Sequence, residues 1–252
     1  MLKTGLVSIT FRQLAPTDIV GLVQQAGLHG IEWGGDVHVP HGDVESARNI
    51  RRLTENAGLQ VAAYGSYYRA GETTDVRFQD VLQSAAALGA PTIRVWAGKQ
   101  GSADADEAYR DRVAEDTRRI AELAANVNVR VAFEFHGNTL TDTTESAVDL
   151  LRRVHHPNLF SYWQPPRGWD EGRLEESLRT ILPHLQNLHV FAWTDDGTRR
   201  PLAEGSERWQ RLFRQLQGER LPPQCYAMLE FVRNDDPSQF LEDAATLKRL
   251  LA

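Results

Sequence analysis

Ile9–Pro16, ITFRQLAP, joins the first apolar run of the chain to its first helical pattern, and it holds no glycine. A doubly wound sheet that binds a dinucleotide makes this turn through a glycine-rich loop. The other architecture built from alternating strands and helices is a closed barrel, which has no such need. The alternation continues from this turn to the end of the chain. Candidate strands are Thr4–Ile9, Gly30–Trp33, Gln60–Ser66, Thr92–Ala97, Arg130–His136, Leu159–Gln164, Asn187–Trp193 and Tyr226–Val232. Helical patterns follow each one, at Thr17–Ala26, Val44–Ala57, Asp75–Leu88, Asp104–Asn126, Thr144–Val154, Glu171–Leu182, Ser206–Gln217 and Pro237–Leu250.

Local chemistry supports these elements. Trp209, Leu212, Phe213 and Leu216 fall at i, i+3, i+4 and i+7 and make one apolar stripe. Asp236-Pro237 sets a capping acceptor before a proline suited to the first helical turn. Gly27 and Gly58 stand where helices should turn back toward the next strand. The strands are nearly continuous apolar runs, as expected where both faces are covered. Eight repeats without a compositional break predict an α/β fold, a single-domain (β/α)8 barrel over residues 1–252.

Composition narrows the function. The chain has 252 residues, 41% apolar and 25% charged, which is ordinary for a globular protein. No apolar run approaches the roughly 20 residues of a membrane span, and the N-terminus lacks the apolar core of a signal peptide. Cys225 is the single cysteine, so no internal disulfide can form and a reducing, cytoplasmic setting is expected. A net charge of -6 argues against a broad nucleic-acid surface. The expected partner is a small carbohydrate, with no nucleic acid or membrane, and the composition leaves room for a homo-oligomer.

The polar residues at the strand ends carry the chemistry. In RVAFEFHGN, Arg130–Asn138, alternation sends Ala132, Glu134 and His136 to the face opposite Val131, Phe133 and Phe135. Inside a barrel that first set points inward. Glu230 in YAMLEFV, His189 in NLHVFAW and Gln164 in LFSYWQP take matching positions on their own strands. Charge inside a closed sheet is costly unless it is paired or bound to metal, and a divalent cation is the simplest shared partner for this set. Read singly, a glutamate that ends an apolar strand is as often a salt-bridged residue.

FEFH, NLHV and MLEFV, on strands five, seven and eight, resemble the xylose isomerase-like barrel superfamily over nearly the whole chain. That group holds sugar isomerases and epimerases, inosose and dehydroshikimate dehydratases and, more distantly, endonuclease IV. The resemblance to its epimerase branch implies one divalent metal held by Glu134, Gln164, His189 and Glu230, with Gln164 standing where the pattern has Asp. The swap lowers the ligand charge from -3 to -2 and predicts weaker binding. Oxygen donors with one imidazole suit Mn²⁺ best, with Mg²⁺ or Co²⁺ also acceptable.

On this reading the ion polarises a hydroxyketone. Glu134 and Glu230 then move a proton through an enediolate, which inverts a stereocentre or interconverts aldose and ketose. The expected activity is therefore a metal-dependent sugar isomerase or epimerase acting on a ketose or keto-sugar. If the enediolate expels a β-hydroxyl instead, the enzyme is a lyase dehydrating a keto-cyclitol or 3-keto sugar. An endonuclease would need more strand-end His and Asp, and a sugar-binding barrel without catalysis would keep aromatic walls but bind no metal.

Candidate substrate contacts are His136, Trp33, His38, Tyr64, Arg94, Trp96 and Trp193, with Trp163 also near a strand end. Each tryptophan could equally be barrel packing. The loop EWGGDVHVPHGD carries Glu32, Asp36, His38 and His41, which could contact hydroxyls or hold a second metal; a polar active-site loop explains them more simply. This loop and RVWAGKQGS, with Arg94 and Lys99, resemble those of uncharacterised members of the same group. Arg199 and Arg200 could bind phosphate, but Asp195 and Asp196 beside them favour an unphosphorylated substrate.

Overall fold

The structure, a computed structural model, describes residues 2–252. Eight parallel strands close into a barrel: β1 (Lys3–Val7), β2 (Gly30–Gly34), β3 (Gln60–Arg69), β4 (Thr92–Trp96), β5 (Arg130–Phe133), β6 (Leu159–Trp163), β7 (Leu185–Val190) and β8 (Tyr226–Leu229). Each neighbours the next in sequence order, and β8 returns to pair with β1 through Lys3–Tyr226 to Leu6–Leu229. The helices are α1 (Pro16–Ala26), α2 (Val44–Asn56), α3 (Phe78–Leu88), α4 (Glu107–Ala125), α5 (Thr144–Val154), α6 (Glu171–Ile181), α7 (Ser206–Arg214) and α8 (Pro237–Leu251).

Caps explain where the helices start. The side chains of Asp43, Asp106, Thr143, Asp170 and Asp236 each accept a hydrogen bond from a backbone N–H of the first turn, satisfying groups that have no intrahelical partner. Gly27 and Gly89 end α1 and α3 in the left-handed conformation.

Two apolar layers follow from strand alternation. Outward residues such as Leu6, Ile31, Ile93, Val131 and Leu229 pack against the helices. Inward residues Val7, Ile9, Ala63, Ala132, Tyr162, Tyr226 and Met228 fill the barrel, and Ala62 joins them where the β2–β3 register shifts by one residue.

Strand ends depart from the sequence expectation. Ladder structure stops at Phe133 and Leu229, but the Glu134 amide still donates to Val95 O at 2.9 Å and the Glu230 amide to Val190 O at 3.1 Å. Both acids thus sit on the last rung of the sheet. Beyond β7 the chain leaves the barrel, and Ala192–Trp193 pairs antiparallel with Arg199–Arg200 in a small hairpin. Helix α7 is shorter than its apolar stripe because hydrogen-bonded turns replace it after Arg214.

Candidate active site

Arg94 forms the floor of the site. Alternation on β4 points its side chain into the barrel, where it is 1% exposed. Its Nε donates to Glu32 Oε1 at 2.8 Å, and its Nη1 pairs with Glu134 Oε2. Glu32, on β2, also accepts from the Tyr162 hydroxyl at 2.8 Å, and that hydroxyl accepts from Asn187 Nδ2 at 2.8 Å. Burial opposes ionisation of Glu32, but Arg94 and His189 outweigh it and hold the carboxyl at about 2.

Above this floor, four donors converge. His189 Nδ1 lies 2.9 Å from Gln164 Oε1, 3.3 Å from Glu230 Oε2 and 3.9 Å from Glu134 Oε1. Ligand atoms of Glu134, His189 and Glu230 all lie within 4.8 Å of one another and form a candidate metal site. Adjacent ligands on a six-coordinate ion with bonds of about 2.1–2.2 Å stand about 3 Å apart. The spacing here fits such an ion after small adjustments, and the donor set of carboxylates, amide oxygen and imidazole suits a divalent cation.

Charge points the same way. Glu32, Glu134 and Glu230 bring three negative charges and Arg94 one positive charge, so two remain to be balanced once His189 is neutral, as a ligand must be. The field registers on His189: burial opposes its protonation, yet Glu230 and Glu32 push the imidazole up to about 10.

Aromatic side chains wall the mouth on two sides. On one, Trp96 stacks on His136 with ring centroids 4.4 Å apart, and Tyr67 lies 6.3 Å away. The Arg69 guanidinium sits over Trp96 at 4.0 Å. On the other, Trp193 stacks on Phe191 at 4.3 Å, with Phe231 at 6.0 Å. His136 Nδ1 is 2.7 Å from Gly137 O. A carbonyl can only accept, so Nδ1 carries a proton, and the tautomer compatible with this contact has its lone pair at Nε2.

Several predicted contacts lie elsewhere. Trp33 points outward, where its Nε1–H donates to Thr54 on α2, and Trp163 does the same toward Ser177 on α6. Tyr64 is also outward: its hydroxyl donates to Val39 O and contacts His41 Nδ1. All three are buried at 0% exposure, because each is one residue out of phase with the inward set. His38 is buried and hydrogen-bonded to Ser8 Oγ, so it braces the loop after β1. Burial lowers its pKa. Arg94 holds the site's carboxylates together and has little surface for substrate.

Asp36 pairs with Arg12, Lys99 with Glu72 and Arg199 with Asp235. Among the described residues, no second cluster of metal donors forms around His38 and His41.

Tyr162 and Asn187 were missed, although the alternation that selected Gln164 and His189 places both inward. Phe231 had no such signal. Its φ of +52° turns the ring against the strand period and into the mouth.

The chain belongs to the xylose isomerase-like TIM barrel family, whose sequence profile matches residues 20–250. A curated relative, 3-dehydroshikimate dehydratase from Bacillus anthracis, is 30% identical over 200 residues, covering 75% of this chain and 71% of that protein. The crystal structure of the probable 3-DHS dehydratase from Bacillus anthracis superposes with a TM-score of 0.81 at 25% identity, covering 98% of both chains. The 3-keto-D-glucoside 4-epimerase from E. coli superposes with a TM-score of 0.75 at 17% identity over 99% of both chains, a likeness of fold. The dehydratase name of the curated relative matches the lyase alternative expected from sequence, and the epimerase name matches the isomerase form.

Proposed function

We propose that this chain is a divalent-metal-dependent lyase that dehydrates a cyclic hydroxyketone of the 3-dehydroshikimate type. The observation that carries the reading is the 30% identity to a 3-dehydroshikimate dehydratase across three quarters of the chain. The donor cluster at the mouth supports it.

Glu134, Gln164, His189 and Glu230 would hold the ion, with Mn²⁺ the best match to three oxygens and one nitrogen. When bound, the ion supplies Lewis acidity, stabilising negative charge as it develops on the substrate's carbonyl oxygen.

The chain's own residues do the rest. Arg94 fixes Glu134 by one oxygen, so the other stays aimed at His189. Glu134 and Glu230 were expected to move protons; on this reading both are given to the ion, with Arg94 and His189 as their neighbours. The proton-carrying role therefore falls to His136. Its Nε2 takes the proton from the carbon beside the ketone, and the C–H electron pair becomes the enolate. The enolate then expels the β-hydroxyl, which leaves as water with the proton returned by Nε2. A dihydroxy-oxocyclohexene carboxylate treated this way tautomerises to a dihydroxybenzoate. The Trp96–His136 stack and the Trp193 wall shield the ring from solvent.

A second reading, epimerisation of a keto-sugar, keeps the same donors and has Glu230 return the proton to the opposite face. Fold likeness to the 3-keto-D-glucoside 4-epimerase favours it.

The test is incubation of the Mn²⁺-loaded protein in D₂O with 3-dehydroshikimate and, separately, with a panel of ketoses and 3-keto-glycosides. An aromatic acid formed from 3-dehydroshikimate is expected. A deuterated epimer from a keto-sugar, with no aromatic product, would replace the lyase reading by the second. His136→Asn should lower turnover at least about 100-fold while leaving Mn²⁺ affinity unchanged. Full activity in that variant would remove His136 from the mechanism.

A further inference from the structure

Beside the donor cluster, between the loops that follow β5, β6 and β7, lies a cavity of about 510 Å³. His136 and Gln164 line its inner end, Trp169 and Trp193 its sides, and Arg167 its rim. The cavity is thus continuous with Gln164 and His136 at the site.

Arg167 is the one guanidinium of the lining, and it pairs with no carboxylate among the described residues. Two acids share the cavity, but both are turned onto backbone. Asp195 Oδ1 accepts from the Gly168 amide at 3.2 Å, and Asp142 Oδ2 accepts from the Ser102 amide at 2.9 Å. Arg167 follows Gln164 through Pro165-Pro166, a spacer with both φ angles locked. Its guanidinium rests against Gly197, where an added Cβ would stand 2.5 Å from Nη1. Trp169 is itself backed by Arg173, whose guanidinium lies 3.7 Å from the ring centroid. An exposed guanidinium that ends a double-proline tether and lines an aromatic-walled cavity matches the planar two-oxygen geometry of a carboxylate.

We infer that this cavity is an anionic subsite in which Arg167 binds a ring carboxylate of the substrate remote from the reacting ketone. The inference rests on the dehydratase reading and makes it more specific: the substrate is a hydroxyketone acid rather than a neutral sugar.

The test is calorimetric titration of the Mn²⁺-loaded full chain with 3,4-dihydroxybenzoate and with catechol, which differ only in the carboxylate. The unmodified protein should prefer the acid by roughly tenfold or more, the scale of one charged hydrogen-bonded pair. Arg167→Gln should abolish that preference and leave the Kd for catechol unchanged. Arg167→Lys should restore part of it. A preference that survives Arg167→Gln, or that is lost in Arg69→Gln instead, overturns the subsite while the dehydratase reading stands. Binding of neither ligand overturns both.

Discussion

Arg94 carries more of the site than its single charge suggests. It is buried, and it pairs with two carboxylates from different strands. Removing one partner of a buried charged cluster leaves the others uncompensated and costs about 3–5 kcal/mol. Arg94→Met is therefore expected to lower unfolding free energy by that amount in urea titration and to abolish turnover. A loss under about 1 kcal/mol would mean that water reaches and screens the acids.

His189 invites a second test at this scale. Glu230 and Glu32 raise its pKa to about 10 against the effect of burial, whereas a metal ligand must be unprotonated. A binding ion must then displace a proton, so apparent Mn²⁺ affinity should rise with pH through the neutral range. A pH-independent Kd between pH 6 and 8 would exclude His189 as a ligand.

The converging donors were legible in the sequence because period-two alternation sends Glu134, Gln164, His189 and Glu230 to one side of their strands. Arg94 and Glu32 were legible as inward residues but not as a pair, since nothing along one strand says which residue of another meets it. Trp33 and Tyr64 were misassigned for the complementary reason: nearness to a strand end was given more weight than phase.

Elements are held at their ends by particular side chains. Asp236 Oδ1 accepts from the Ser238 amide at 2.8 Å and, with Pro237, starts α8. Asp236→Ala should cost about 1 kcal/mol, read as a lower denaturation midpoint with unchanged activity.

Farther along α8, buried Asp243 accepts from the Leu202 amide at 2.8 Å and from Gln239 Nε2 at 2.9 Å. Burial raises its carboxyl to about 6 despite those bonds. A folded-state pKa above the unfolded value of about 3.9 favours folding while the group stays protonated. That contribution is complete below about pH 4 and is lost as pH rises through 6. Asp243→Asn keeps an accepting oxygen and should flatten the stability profile between pH 4 and 6. An unchanged profile would assign the slope to another group.

Element order and class were readable because caps, stripes and apolar runs are local signals. The hairpin Ala192–Trp193 with Arg199–Arg200 was not, because an apolar run continues straight across the point where β7 leaves the barrel.

At the scale of the molecule, ring closure brings strands far apart in sequence onto one charge-bearing centre. A divalent ion balances the two negative charges left there once His189 gives up its proton, so metal is expected to stabilise the whole fold. Mn²⁺ at about 100 times its Kd should add about 2.7 kcal/mol, raising Tm by roughly 5–10 °C, and a chelator should reverse the shift. No change in Tm would show that folding and metal binding are uncoupled. Among the described residues, no helix is long and apolar enough to cross a membrane.

The guanidinium lying across the bore also divides labour along the barrel axis. Met228, Tyr226 and their apolar neighbours form a packed plug below it, while the reacting groups gather above. Changes of shape in the plug that spare Tyr162 and Asn187 alter how firmly the cylinder holds together and leave the upper chamber's electrostatics alone. The lower half is accordingly where a protein engineer can repack for heat resistance without retuning the chemistry.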